Sequence, residues 1–308
     1  MATNTHIPVL LNETIDLLNI KSNGVYLDCT SGRGGHSEAI LNKLSSKGRL
    51  ICLDIDDDAI KFLKAKFKNK TNVEVHKCNF KDIVELLNSL NLNGVDGVIA
   101  DIGVSSPMFD NVERGFSYHN NANLDMRMDQ TQKITAQYVI NNYTLGQLIN
   151  VFKTYGEAHD AICVSKKITQ TRKDHPIITT NELVEIIKSS ISKKNLSLIK
   201  HPAKQYFQAL RIEVNDELNN LERLINSLPL ILKKNGVCAI ISFHSLEDRI
   251  VKDGFIKLTN NNLPKEIPII AKPLFSLLNK KPITASISEL DSNKRARSAK
   301  LRGIIKNV

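Results

Sequence analysis

Five short stretches of this 308-residue chain place reactive or ligand-holding residue types where chemistry can use them. Tyr26-Leu27-Asp28-Cys29 is an apolar run ending in an acid, and Thr30-Ser31-Gly32-Arg33-Gly34-Gly35-His36-Ser37 follows it directly. Apolar run, glycine turn and then the helical spacing of Ala39, Ile40 and Leu44 make a strand, a turn and a helix. Glycines there let backbone approach a ligand, and the helix start offers free N–H groups. Asp54 closes a second apolar run, twenty residues after Gly34, where a carboxylate can hold the two hydroxyls of a ribose. Phe80 follows a third run, as a ring for an aromatic base or as a core residue. Asp101 ends a fourth run and leads into Ser105-Ser106-Pro107, and His244-Ser245 ends a fifth.

The spacing excludes some chemistries. A dinucleotide fingerprint needs a third glycine where this chain has Ser37, which weighs against a nicotinamide-dependent oxidoreductase. No G-x-S-x-G exists, so His244 and Ser245 do not announce a serine hydrolase. The cysteines at 29, 52, 78, 163 and 238 form no C-x-x-C, which speaks for reduced thiols in the cytosol and against zinc. An acid at Asp28, on the strand before the turn, suits S-adenosylmethionine, whose amino-acid end is cationic. Ser106-Pro107 loosely imitates the polar-Pro step with which amino-group methyltransferases hold a target amine.

Those residues need a sheet to position them. Strands are expected at Val25–Cys29, Gly48–Asp56, Val73–Cys78, Val95–Ile102 and Val237–Phe243, alternating with helices through Pro107. Ile267–Ala271 and Arg297–Lys306 are expected to pair as a closing antiparallel hairpin. From Thr135 to Ser197 only helical patterns occur, and a long helix is expected from His201 to Leu232, ended by Asn235-Gly236. The net charge of +10 invites a polyanion. Residues 151–205 hold ten Lys/Arg against five Asp/Glu. No window is long and apolar enough for a membrane span, and no signal peptide is visible.

Taken together, the motifs resemble the bacterial RsmH (MraW) methyltransferases along nearly the whole chain. The likeness rests on Gly32-Arg33-Gly34-Gly35-His36-Ser37, Asp101-Ile102-Gly103-Val104-Ser105-Ser106-Pro107, Arg114-Gly115-Phe116-Ser117, Leu124-Asp125-Met126-Arg127-Met128-Asp129, His201-Pro202-Ala203, Val214-Asn215-Asp216-Glu217-Leu218, Phe243-His244-Ser245-Leu246-Glu247-Asp248-Arg249 and Arg295-Ala296-Arg297-Ser298-Ala299-Lys300-Leu301-Arg302. The resemblance implies an α/β, Rossmann-like class I methyltransferase domain, residues 1–112 and 208–308, interrupted by an all-helical RNA-recognition domain, residues 113–207. It implies N4-methylation of one cytidine in the decoding centre of 16S rRNA, with S-adenosylmethionine as cofactor. Carried over by position, the cofactor contacts fall on Gly34, Gly35, His36, Asp54, Phe80 and Asp101. Asp101, Ser105, Ser106 and His244 are the expected catalytic residues, the last as polar contact or proton relay. The family usually has Gln after Ser-Ser-Pro; here Met108 stands there and cannot make an amide's paired hydrogen bonds. The expected partner is 16S rRNA or the small ribosomal subunit, in the cytoplasm, with no membrane and no metal. The oligomeric state is open, a homodimer among the options. The alternative function is a ribosome-assembly module that binds RNA and the cofactor without turnover.

Overall fold

The computed structural model describes residues 8–191, 201–260 and 273–308. It divides into two compact units, residues 1–103 with 218–308, and residues 104–217.

The first unit is built on seven strands: β1 Val25–Asp28, β2 Arg49–Asp54, β3 Val73–Lys77, β4 Val95–Asp101, β5 Leu232–Ser242, β6 Phe275–Leu277 and β7 Lys300–Lys306. Their order is β3-β2-β1-β4-β5-β7-β6. The first five run parallel, and β7 lies antiparallel between β5 and β6. This is the Rossmann-like sheet of class I methyltransferases. β1, β2 and the Val98–Ala100 part of β4 read as apolar runs because helices cover both faces of a parallel sheet. One face packs Leu27, Ile51, Val98 and Ile240 against Leu221, Leu224 and Phe255; the other packs Tyr26, Leu50, Ile99 and Ile241 against Leu18, Ile40 and Leu63. The covering helices are α1 Leu11–Leu18, α2 Gly35–Leu41, α3 Asp57–Lys66, α4 Ile83–Ser89, and three later ones.

The second unit opens with α5 Ser106–Asp110 and holds α6 Ala136–Asn142, α7 Leu145–Thr154, α8 Ala161–Thr171, α9 Thr180–Ser190 and α10 Lys204–Asn215. Thr144 and Thr179 close capping boxes with Gln147 and Glu182 at the starts of α7 and α9, each contributing about 1 kcal/mol. The loop between α5 and α6 has almost no regular structure, yet it is fixed by polar struts. Arg127 makes a two-pronged pair with Asp125 and donates to the Gln130 and Gln132 carbonyls. Asn215 accepts from Met128 N at 2.7 Å and donates to the Met126 and Arg211 carbonyls.

Several expectations need correction. The units divide after residues 103 and 217, not 112 and 207, because α10 packs on α6 and α7 and so belongs to the helical unit. The expected helix from His201 to Leu232 is two helices, α10 and α11 Glu217–Ile231, with left-handed Asp216 (φ 52°) between them. Asn215, bonded to the Met126 carbonyl and the Met128 N–H of the loop, holds the chain at that break. Asn235-Gly236 does not end a helix; it lies inside β5, where the pairing with β4 shifts register between Val95 and Gly97. The strand that pairs with β7 is Phe275–Leu277. The segment Ile267–Ala271 lies outside the described residues. Two more helices, α12 Ser245–Thr259 and α13 Ile287–Ser292, complete the first unit. Among the described residues no helix is long and apolar enough to cross a membrane.

Candidate active site

The C-terminal tips of β1, β2, β4 and β5 carry the candidate residues, on the edge where open α/β sheets bind ligands. Asp28 is almost wholly buried. Its Oδ2 accepts from Ser37 Oγ at 2.5 Å and its Oδ1 from Thr30 N at 3.2 Å. Burial raises its pKa to about 6, against the pull of those hydrogen bonds. Ser37, which the sequence offered only as the missing third glycine, is thus the hydroxyl that keeps Asp28 in place.

The turn after β1 folds around glycine. Gly34 has φ +72° as the residue before α2, and a Cβ there would come within 3.2 Å of Leu63 and the Phe67 ring. Gly35 is held closer still: a Cβ would sit 2.2 Å from Pro8 Cγ. His36 is buried, and its Nε2 lies 3.0 Å from the Val9 carbonyl. That carbonyl can only accept, so Nε2 donates to it and Nδ1 is the nitrogen turned towards Asp101 Oδ2, at 3.9 Å.

Asp54 ends β2 and reaches back to the turn. Its Oδ2 accepts from Gly32 N at 2.8 Å and its Oδ1 from Asp56 N at 2.9 Å. Each oxygen keeps a lone pair for a further donor. Loss of solvent raises this pKa to about 6, while the two N–H groups oppose the rise. Phe80 opens a 3₁₀ turn, Phe80–Asp82, and is half-buried against the core that includes Ile83 and Leu87.

Asp101 is the least compensated group of this edge. Its backbone N donates to Thr30 Oγ1 at 2.7 Å, which ties the β4 tip to the β1 turn. Its Oδ1 is buried without a hydrogen-bond partner among the described residues. Burial raises its pKa to about 8, and the charges of Asp28 and Glu247 add to the rise. Beside the β5 tip, His244 begins α12. Its Nδ1 accepts from Glu247 N at 3.4 Å, and its Nε2 lies 2.9 Å from Glu247 Oε1. Glu247 Oε2 in turn accepts from Phe243 N and His244 N. One ring nitrogen thus meets the backbone N–H of Glu247 and the other its fully buried carboxylate, which is the geometry of a helix cap.

Ser105, Ser106 and Met108 belong to the second unit. Ser105 precedes α5 and makes no side-chain cap bond, while Ser106 is buried in the first turn. Met108 is buried too, at 5% exposure, so the position that usually carries an amide is here an apolar packing position.

Three carboxylates on one sheet edge are thus held above their ordinary pKa values, one with an unpaired oxygen. Such an edge suits a ligand that brings positive charge and hydrogen-bond donors. A search of family models matches residues 3–307 to the MraW methylase family. The chain belongs to that family. A protein named ribosomal RNA small subunit methyltransferase H from Ureaplasma parvum serovar 3 is 54% identical over 310 residues, covering 100% of both chains. The protein of the same name from Ureaplasma urealyticum serovar 10 is 52% identical, again over 100% of each chain. Among solved structures, an rRNA methylase from Streptococcus thermophilus covers 99% of this chain and 100% of its own, at 10% identity and a TM-score of 0.40, too slight a likeness to carry an argument. A methylase of this fold takes its methyl group from S-adenosylmethionine, and the acids fit it: the molecule carries a sulfonium, an ammonium and a ribose diol.

Proposed function

We propose that this protein transfers a methyl group from S-adenosylmethionine to small-subunit ribosomal RNA, at N4 of one cytidine in the decoding centre of 16S rRNA. The carrying observation is Asp101: a buried strand-tip carboxylate with an unpaired oxygen, beside Asp28 and the glycine turn. Support for the RNA comes from the names of the full-length relatives and from the motif likeness.

In this reading Gly34 and Gly35 bring backbone to the cofactor, Asp54 takes the ribose hydroxyls and Phe80 lies against adenine. Asp101, which faces Nδ1 of His36, takes the cationic end. The cofactor supplies a methyl group already activated on a sulfonium, so the transfer needs no metal. The residues must do the rest. Cytosine N4 is a poor nucleophile because its lone pair is delocalised into the ring. It has to be held in line and relieved of a proton. Without a cation beside it Asp101 holds a proton near neutral pH, and a cation there favours the carboxylate. In that state it can accept a hydrogen bond from the N4 amine. Ser105 and Ser106 are assigned to orient the amine through their hydroxyls, Ser105 having none of its oxygen committed to capping α5. His244 is a positioning residue that sets Glu247 and the start of α12 at the site's wall. The cytidine has to leave its stack to be reached.

The test is methyl transfer from labelled S-adenosylmethionine to small ribosomal subunits lacking the modification, followed by nucleoside analysis. N4-methylcytidine is the expected product. Tight cofactor binding without transfer would replace this reading by the assembly-module alternative, with Met108→Gln as the first variant to try.

A further inference from the structure

The tail after α13 carries six cations in eighteen residues, Asp291 to Val308, and the structure separates them by role. Lys300 and Arg302 both bind Asp248, at 2.9 and 2.7 Å, and Lys306 donates to the Pro229 and Leu232 carbonyls. These three serve the fold. The other three, Lys294, Arg295 and Arg297, lie on a 3₁₀ turn, Lys294–Ser298.

That turn has a plain physical logic. A 3₁₀ helix repeats every three residues. Asn293, Ala296 and Ala299, spaced by three, are 8%, 1% and 1% exposed, and the alanines pack into the core with Val9, Leu10 and Leu301. Lys294, Arg295 and Arg297 fall between them and are exposed. Lys294 and Arg297 have no acidic partner among the described residues, in contrast to Lys300 and Arg302 a few residues on. The small inward residues press the turn close to the sheet while its cations stay in water.

The register fixes where those cations are. Asp101 pairs with Ile241, and Ile241 pairs with Leu301. Two strand spacings, about 10 Å, therefore separate the Asp101 position from β7 at the same height of the sheet. Because β7 runs antiparallel, the turn that enters it at Lys300 emerges at the C-terminal edge of the parallel strands. An edge with an acidic floor has a cationic rim two strands away.

The geometry points to this rim as a phosphate clamp: Lys294 and Arg297 hold the backbone of the RNA strand that flanks the target nucleotide. The inference rests on the methyl-transfer reading and adds that the sheet unit, through its 3₁₀ turn, grips the substrate. Phosphate contacts fix position without reading sequence, and each one makes binding salt-dependent. A target base drawn into the floor leaves its neighbouring phosphates outside, where the rim stands.

The test compares the wild type, the K294Q/R297Q double variant, and K47Q/K234Q. The last removes the same charge from exposed lysines at the opposite, N-terminal edge of the sheet, before β2 and at the start of β5. Unmodified small subunits are the substrate, and cofactor affinity is measured by calorimetry. K294Q/R297Q is expected to raise the KM for subunits roughly tenfold and to flatten the slope of log affinity against log salt by about 1.4, as for two single-strand phosphate contacts. Its kcat and cofactor affinity stay within twofold of wild type, and K47Q/K234Q matches wild type throughout. An unchanged KM and salt slope in K294Q/R297Q would overturn the clamp, as would an equal loss in K47Q/K234Q. Failure of the wild type to methylate subunits would show in the first arm alone and would overturn the methyl-transfer reading, the clamp with it.

Discussion

The two units treat charge in opposite ways. In the helical unit the conspicuous charged motif, Leu124 to Asp129, is consumed by structure: Arg127 spends its guanidinium on Asp125 and two carbonyls, and Arg114 donates to the carbonyls of Arg127 and Met128. In the sheet unit the strand-tip acids are left in debt. Asp28, Asp54 and Asp101 are all held above their ordinary pKa values, and Asp101 keeps an unpaired buried oxygen. A motif can be prominent because it holds a loop or because it awaits a ligand, and the state of its polar atoms tells the two apart. A satisfied group stabilises the fold, whereas an unsatisfied one costs stability that a ligand restores.

Substitutions sharpen this contrast. Asp101→Asn should lower turnover roughly 1,000-fold, as expected for loss of a proton-accepting group, while leaving the melting temperature unchanged or raised. A clear loss of stability would make Asp101 a strut like Arg127. Asn215→Ala should do the reverse. It strands Met128 N and two carbonyls, costing about 3 kcal/mol in denaturant unfolding, with cofactor affinity within twofold of wild type. Asp54→Asn keeps the shape but loses charge, and cofactor affinity measured by calorimetry should weaken about tenfold.

A further expectation concerns stability against pH. The folded pKa values of Asp28, Asp54 and Asp101 lie above the ordinary 3.8, at about 6, 6 and 8. Between pH 4 and 8, by about these values, the native state binds more protons than the unfolded one. Cofactor-free protein should therefore lose stability as pH rises through that window, by at most about 1.4 kcal/mol per pH unit for each proton. Asp101→Asn should flatten the upper part, from about pH 6 to 8, in thermal melts. A stability that rises across the same window would count against buried, uncompensated acids.

Much of the sheet was legible in the sequence because buried parallel strands are apolar runs, and three of them here end in acids. Asp28, Asp54 and Asp101 stand out as carboxylates that no core would tolerate without a purpose. What escaped depended on contacts distant in sequence. The break at Asp216 follows from Asn215 gripping residues nearly ninety positions away. The shift within β5 belongs to its pairing with β4, since Asn-Gly reads equally well as a helix end. Ser37 and Glu247 were missed as site residues, though each had a local signal: a hydroxyl in the first turn after an acid-tipped strand, and an acid three residues into a helix. The capping bond of His244 was not legible, because its strand-end position is shared by bases and caps.

The most direct test of the acidic floor as a cation site is proton release. S-adenosylmethionine is titrated into the protein at pH 7 in buffers of different ionisation enthalpy. With the Asp101 pKa at about 8 before binding, the wild type should release a substantial part of one proton as the carboxylate meets the cation, and Asp101→Asn should lose that release. Binding with no proton released, or with equal release in both proteins, would contradict Asp101 as the group that receives the cofactor's charge.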